Sequence, residues 1–171
     1  ISIEMSAMRV SLMPGLLASV AYNQNRQQPR IRLFEHGLKF ISDDSAENGL
    51  QQVPVIGGVI TGLVHGEHWV EQKRNVDFYD LKGDVEALLA ITNDTSRFEI
   101  KAEQSDGLHP GQSAVIYVEG KKVGFFGALH PQVQKSLDIN NATFVFEIEM
   151  SALEKRNLPQ AVGVSKFPSN R

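Results

Sequence analysis

Residues 114–129 read AVIYVEGKKVGFFGAL, and this stretch decides the fold of the chain. Two runs rich in β-branched and aromatic residues, 114–118 and 123–129, flank the polar segment EGKK at 119–122. Such runs favour strands, and a short glycine-containing segment between them is typical of a β-hairpin. We therefore predict an antiparallel hairpin here, to which the other strands of the chain are added.

Further strand and helix patterns lie on both sides of this hairpin. Alternating or β-branched runs predict strands at residues 30–41, 53–64, 98–103 and 143–150. Apolar residues at helical spacing predict helices at 13–25 and 80–90 and short helices beginning at Pro131 and Ser151. We expect Asp80 to cap the second helix, Ser151 and Glu154 to form a capping box, and residues 42–52 to form a loop.

Hairpins outnumber strand–helix–strand units in this order, which predicts an α+β fold with a largely antiparallel sheet flanked by helices. The composition is that of a globular domain, with 171 residues, 42% hydrophobic residues and a net charge of −3. No apolar run approaches the ~20 residues of a membrane span, so we expect no membrane partner. The absence of cysteine excludes disulfides, thiolate metal sites and a cysteine nucleophile. The chain begins at Ile1, and we expect it to be a fragment of a longer protein.

The motifs that usually carry chemistry are incomplete. Gly57 and Gly62 have the spacing of a phosphate-binding loop, but Leu63 and Val64 replace the Lys-Ser/Thr that this loop needs, so we interpret these glycines as sites of close strand packing. The five histidines show no metal-binding spacing, and we expect capping or surface roles for them. No catalytic, cofactor-binding or metal-binding residue is therefore predicted.

Two weaker clusters remain open. Asp80 and Asp84 share a helix face and could support acid–base chemistry, although acidic residues are common where a helix begins. Arg26, Arg30 and Arg32 form the basic cluster of the chain, which could contact phosphate or an acidic partner, or could be a solvated strand face.

Several longer strings together resemble one family. They are MRVSLMPGLL at 8–17, YNQNR at 22–26, RLFEHG at 32–37, VDFYDLKGDVE at 76–86, LHPGQSA at 108–114 and GFFGALHP at 124–131. Over almost the whole chain, this sequence is similar to the β subunits of bacterial phenylalanine–tRNA ligases. The resemblance implies a class II aminoacyl-tRNA synthetase-like core at residues 1–165, with 166–171 as the start of a following, truncated anticodon-binding domain.

The resemblance also implies partners and a location. The family works as two α and two β subunits in the cytoplasm, with ATP and magnesium required by the whole enzyme and tRNA as its substrate. The α subunit carries out the chemistry, and the β core pairs with it as a silent relative. We expect no cofactor in this chain and expect the apolar face of helix 13–25 to pack against the α subunit, with Arg26, Arg30 and Arg32 as a possible partner or tRNA contact.

Two signature positions support the silent assignment. A working class II core has Phe/Tyr-Arg-x-Glu, whose arginine holds the α-phosphate, whereas the stretch here is FISD at 40–43 with Ile41 at that position. A later glycine-rich signature that ends in arginine is also missing, because residues 144–156 contain no glycine. The alternative is an autonomous nucleotide- or RNA-binding module, or a self-sufficient enzyme in which Asp80 and Asp84 converge with glycines 57–62.

Overall fold

The computed structural model describes residues 7–46, 48–66, 69 and 73–159, so the predicted domain start at 166–171 lies outside the described residues. The elements follow along the chain as α1 Met13–Gln24, β1 Arg30–Ser42, β2 Leu50–Gly62, α2 Phe78–Ala90, a 3-10 turn at Thr95–Arg97, β3 Phe98–Ala102, β4 Leu108–Val118, β5 Lys121–Leu129, α3 Pro131–Ser136, β6 Thr143–Glu149 and α4 Met150–Glu154. The six strands form one sheet in the order β1-β2-β6-β5-β4-β3, and all neighbours are antiparallel. The predicted α+β class with an antiparallel sheet is confirmed.

The hairpin of β4 and β5 forms where the sequence predicts it. Val118 pairs with Lys121, so only Glu119 and Gly120 form the loop, and both have positive φ, at 53° and 76°. Two positive φ angles match the twist of the strands in a tight hairpin turn. β4 begins at Leu108, well before the predicted start. Its pairing with β5 is irregular between Ser113 and Leu108 but resumes at Leu108, which pairs with Leu129.

Each face of the sheet has its own apolar core because successive side chains of a strand point to opposite faces. The α1 face carries α1, whose Leu16, Leu17 and Val20 pack on Val59 and Val145. The α2 face carries α2 and α4, and its core is built from Leu81, Val85, Leu89, Phe126, Phe144, Ile148 and Leu153. The charged and polar positions that remain on these faces therefore stand out as candidate sites.

The starts of α2 and α4 differ from the predictions. The N-cap of α2 is Asp77, not Asp80, and its carboxylate accepts the backbone N–H groups of Tyr79 and Asp80. Asp80 instead occupies the third helical position and accepts the backbone N–H of Asp77, which completes a capping box. α4 begins at Met150 with Glu149 as its N-cap and no side-chain cap, so the predicted capping box of Ser151 is wrong.

The loop predicted at 42–52 is shorter, since β1 runs to Ser42 and β2 begins at Leu50.

The glycines of β2 make room for packing, as predicted. A Cβ at Gly57 would lie 3.2 Å from the carbonyl oxygen of Phe146, and one at Gly58 would overlap the Phe146 ring. Among the described residues, no helix is long and apolar enough to cross a membrane.

Candidate functional site

A cleft of about 520 Å³ opens on the α1 face, between the segment that leads into α1 and strands β1, β5 and β6. Its charged residues include Lys39, Glu147 and Glu149. The Lys39 Nζ lies 3.4 Å from Glu149 Oε1 and 3.8 Å from Glu147 Oε1. Two carboxylates thus surround one ammonium group, and Asp106 and Lys122 complete the charged lining of the cleft.

Glu147 is the buried centre of this cluster, with 4% of its surface exposed. Its Oε2 accepts the hydroxyl of Ser11 at 2.7 Å and the backbone N–H of Leu12 at 2.8 Å. A buried carboxylate needs such partners, because the interior gives it no solvation. Glu147 therefore fixes the start of α1 to β6. Sequence reasoning missed this role, and the available signal was a glutamate at an inward position of an apolar strand.

The two altered signature stretches lie at defined places in the sheet. Ile41, which takes the arginine position in the stretch at 40–43, stands near the end of β1 and is 40% exposed. The glycine-free stretch 144–156 comprises most of β6 and all of α4, and it places Glu147 in the cleft. The two lysines that line the cleft, Lys39 and Lys122, lie outside both stretches.

The aspartates of α2 are engaged in ion pairs. Arg74 donates two hydrogen bonds of 2.7 Å to Asp80, and these bonds lower the pKa of the Asp80 carboxyl to about 2. Arg32 donates to Asp84 at 2.6 Å. A carboxyl group that is ionised and held by arginine is a poor proton shuttle at neutral pH. The structure therefore gives the acid–base alternative no support.

Two histidines have the capping and turn roles predicted for them. His130 caps α3, since its Nδ1 accepts the backbone N–H of Gln132 at 3.2 Å, and His109 Nδ1 accepts the backbone N–H of Gly111 at 3.0 Å. Within the described ranges, no group of three or more histidine or acidic side chains could hold a metal ion. His68 lies outside those ranges.

The three arginines of the basic cluster have separate roles. Arg32 binds Asp84 and so joins β1 to α2, and the Arg30 Nε donates to the backbone carbonyl of Val64 at 3.1 Å. Arg26 lies in the exposed turn after α1, with its guanidinium carbon 3.4 Å from the centroid of the Tyr22 ring. The cluster is therefore not a single patch, because Arg30 and Arg32 lie on the α2 face of the sheet and Arg26 follows α1 on the other face.

The apolar face of α1 is not available to a partner, contrary to the expectation from the sequence. Leu16, Leu17 and Val20 are each less than 5% exposed because they pack against the chain's own sheet. The side chains of α1 that face outward are mostly small or polar, apart from Tyr22.

Comparison with known proteins now identifies the family. The family described as "Phenylalanyl tRNA synthetase beta chain CLM domain" matches residues 1–150. The chain is 91% identical over its whole length to a phenylalanine–tRNA ligase β subunit of Pseudoalteromonas translucida, and 54% identical to one of Haemophilus influenzae. It spans about a fifth of these relatives, 22% of each.

The fold also has a distant structural relative. A pyrrolysyl-tRNA synthetase from Desulfitobacterium hafniense superposes with a TM-score of 0.58 at 12% identity, covering 85% of this chain and 48% of that one. At this identity the likeness concerns the fold alone. Because the family match covers most of the chain and agrees with the near-identical relative, the chain belongs to the phenylalanyl-tRNA synthetase β chain family, as its CLM domain.

Proposed function

We propose that this chain is the non-catalytic structural core of a phenylalanine–tRNA ligase β subunit. In this role it pairs with the catalytic α subunit in a cytoplasmic α2β2 enzyme that attaches phenylalanine to its tRNA and uses ATP and magnesium. The 91% identity over the whole chain to a β subunit carries this proposal. Residues 1–165 are the core domain, and 166–171 begin the next domain.

The proposal includes a class II synthetase-like architecture for the core. Two observations support it: the six-stranded antiparallel sheet with helices on both faces, and the fold likeness to a tRNA synthetase. The cleft on the α1 face would then be the silent counterpart of a catalytic site. In this cleft Glu147 and Glu149 already engage Lys39, so that lysine is not free to hold a triphosphate.

The α subunit pairing is tested by light scattering after size exclusion, with the chain run alone and mixed with the matching α subunit. We expect the mixture to elute as one complex with a mass above that of either protein. Separate elution of the two proteins, with the chain folded by circular dichroism, would contradict the pairing function of these residues.

The silent cleft is tested by thermal unfolding with ATP and with phenylalanine. A ligand at about 100 times its Kd stabilises a protein by about 2.7 kcal/mol, so specific binding would raise the melting temperature clearly. We expect no shift with either ligand. A concentration-dependent shift would favour the alternative of an autonomous nucleotide-binding module, and the Glu147→Gln variant would show whether the cleft is its site.

A further inference from the structure

We propose that the corner between α1 and β1, residues 22–28, binds unpaired nucleotides of RNA through the stacked side chains of Tyr22 and Arg26. The inference rests on the proposed function, because the RNA at this corner would be the tRNA of the same enzyme. It assigns the contact to one surface of the core domain, at the far side of the sheet from β3.

The charge distribution along the chain favours a polyanion at this corner. Residues 5–34 contain four arginines and no aspartate or glutamate, in a chain whose net charge is −3. Arg9 pairs with Glu35 and Arg32 with Asp84. Arg30 lies on the α2 face of the sheet, as Arg32 does. In the described part of the chain, Arg26 donates only to the backbone carbonyl of Tyr22. Its charge is therefore not neutralised by a carboxylate, and an exposed guanidinium of this kind attracts phosphate.

The stacked pair of Tyr22 and Arg26 gives this corner a surface suited to bases. Tyr22 is 58% exposed, and the Arg26 guanidinium lies over its ring while Nη1 donates to the Tyr22 carbonyl at 3.2 Å. Arginine planes and aromatic rings are the groups on which proteins stack unpaired RNA bases. Because the ring and the backbone carbonyl already hold the guanidinium, little side-chain freedom is lost when RNA binds.

The backbone turn at this corner leaves three side-chain amides exposed to solvent. Gln27 has a φ of 59°, in the left-handed region that favours glycine, and the turn is closed by hydrogen bonds from Gln27 N to Gln24 O and from Gln28 N to Asn23 O. Such strained positions cluster at binding sites. The side chains of Asn25, Gln27 and Gln28 are exposed here and can donate to or accept from base edges. The corner thus offers charge, a stacking surface and amides within one turn.

The test measures binding of a phenylalanine tRNA transcript to the full chain by fluorescence anisotropy at several salt concentrations. For Arg26→Glu we expect about a tenfold loss of affinity at low salt and a salt dependence that is smaller by about one to two phosphate contacts. Lys101→Glu, the same charge change on β3 at the opposite edge of the sheet, is the matched control and should bind as the wild type does.

A second pair of variants separates stacking from folding. Tyr22→Leu should weaken binding about fivefold or more, because the guanidinium loses the ring that holds it, whereas Tyr22→Phe keeps the ring and should bind normally. Circular dichroism checks that both variants are folded. Equal affinity and equal salt dependence of Arg26→Glu and the wild type would overturn the proposal, as would a wild-type chain that does not bind the transcript at low salt.

The same variants distinguish this proposal from the proposed function. If Arg26→Glu loses the α subunit in size exclusion but keeps its RNA affinity, the corner is a protein contact and the RNA proposal is wrong. If the chain binds the transcript through Arg26 but never pairs with the α subunit, the structural-core proposal fails and the RNA site stands.

Discussion

The two long helices of this domain are fixed to the sheet in opposite ways. α2 begins with a local device, since Asp77 caps the helix and Asp80 completes the box three residues later. α1 has no side-chain cap on its N-cap residue Leu12. Its first N–H groups are satisfied by Ser11 and by Glu147, a residue of the last strand of the sheet.

This difference shows which interactions stabilise each face of the sheet. On the α2 face, the helix start is self-contained and the core beneath it is purely apolar. On the α1 face, the helix start depends on a buried charge cluster that only the folded sheet assembles. A substitution in the core beneath α2 should therefore act through packing, and one in the charge cluster at the start of α1 through the burial of unpaired polar groups.

The largest effect is expected from Phe126→Ala, which removes the fully buried ring that stacks on Phe78 at 5.5 Å between centroids. We expect a loss of about 4 kcal/mol in the free energy of unfolding, since a large cavity is left in a dense core. Urea denaturation followed by circular dichroism measures it. Phe125→Ala, the adjacent but half-buried ring on the α1 face, is the matched control and should cost clearly less. Equal losses would mean that the two faces do not differ in packing.

Glu147→Ala tests the α1 face, and we expect a loss of about 3 kcal/mol in the free energy of unfolding. The variant leaves the Leu12 N–H without its acceptor and removes one of the two carboxylates beside Lys39. Glu147→Gln keeps an acceptor oxygen for Leu12 but not the charge, so it should lose less. If both variants unfold at the same urea concentration as the wild type, the cluster does not anchor α1.

Sequence reasoning could reach the features that depend on local pattern. The hairpin at Glu119 and Gly120 and the strand β6, predicted at 143–150, follow from neighbouring residues. The predicted cap at Asp80 was three residues late, because both aspartates fit a cap and only the position of the first helical turn selects Asp77.

Contacts between distant residues were beyond the reach of the sequence. Glu147 and Leu12 are 135 positions apart, and no periodicity links them. The basic cluster shows the same limit, because Arg26, Arg30 and Arg32 are close in sequence but bind partners in three different segments of the chain. Tertiary placement, which the local pattern does not encode, decides which partner each of them binds.

A smaller effect is expected from the Asp80–Arg74 pair, and it depends on pH. Arg74 lowers the pKa of Asp80 from 3.8 to about 2, so the ionised form is favoured in the folded state. The pair therefore contributes stability above pH 3.8 that is lost as the pH falls towards 2, and the contribution is at most about 2 kcal/mol. Urea denaturation at a series of acidic pH values measures it. Asp80→Asn and Arg74→Gln should both flatten this part of the profile, and an unchanged slope in either variant would contradict the role of the pair.

The smallest effect concerns the helix starts themselves. Asp77→Ala removes the side chain that accepts the N–H groups of Tyr79 and Asp80, and we expect a loss of about 1 kcal/mol in the free energy of unfolding. Ser151→Ala is the matched control, because α4 begins at Met150 without a side-chain cap and the serine is exposed. Urea denaturation of the two variants should therefore separate them. A loss at Ser151 as large as that at Asp77 would contradict this difference between the two helix starts. It would mean that the Ser151 side chain stabilises the start of α4, as the sequence predicts.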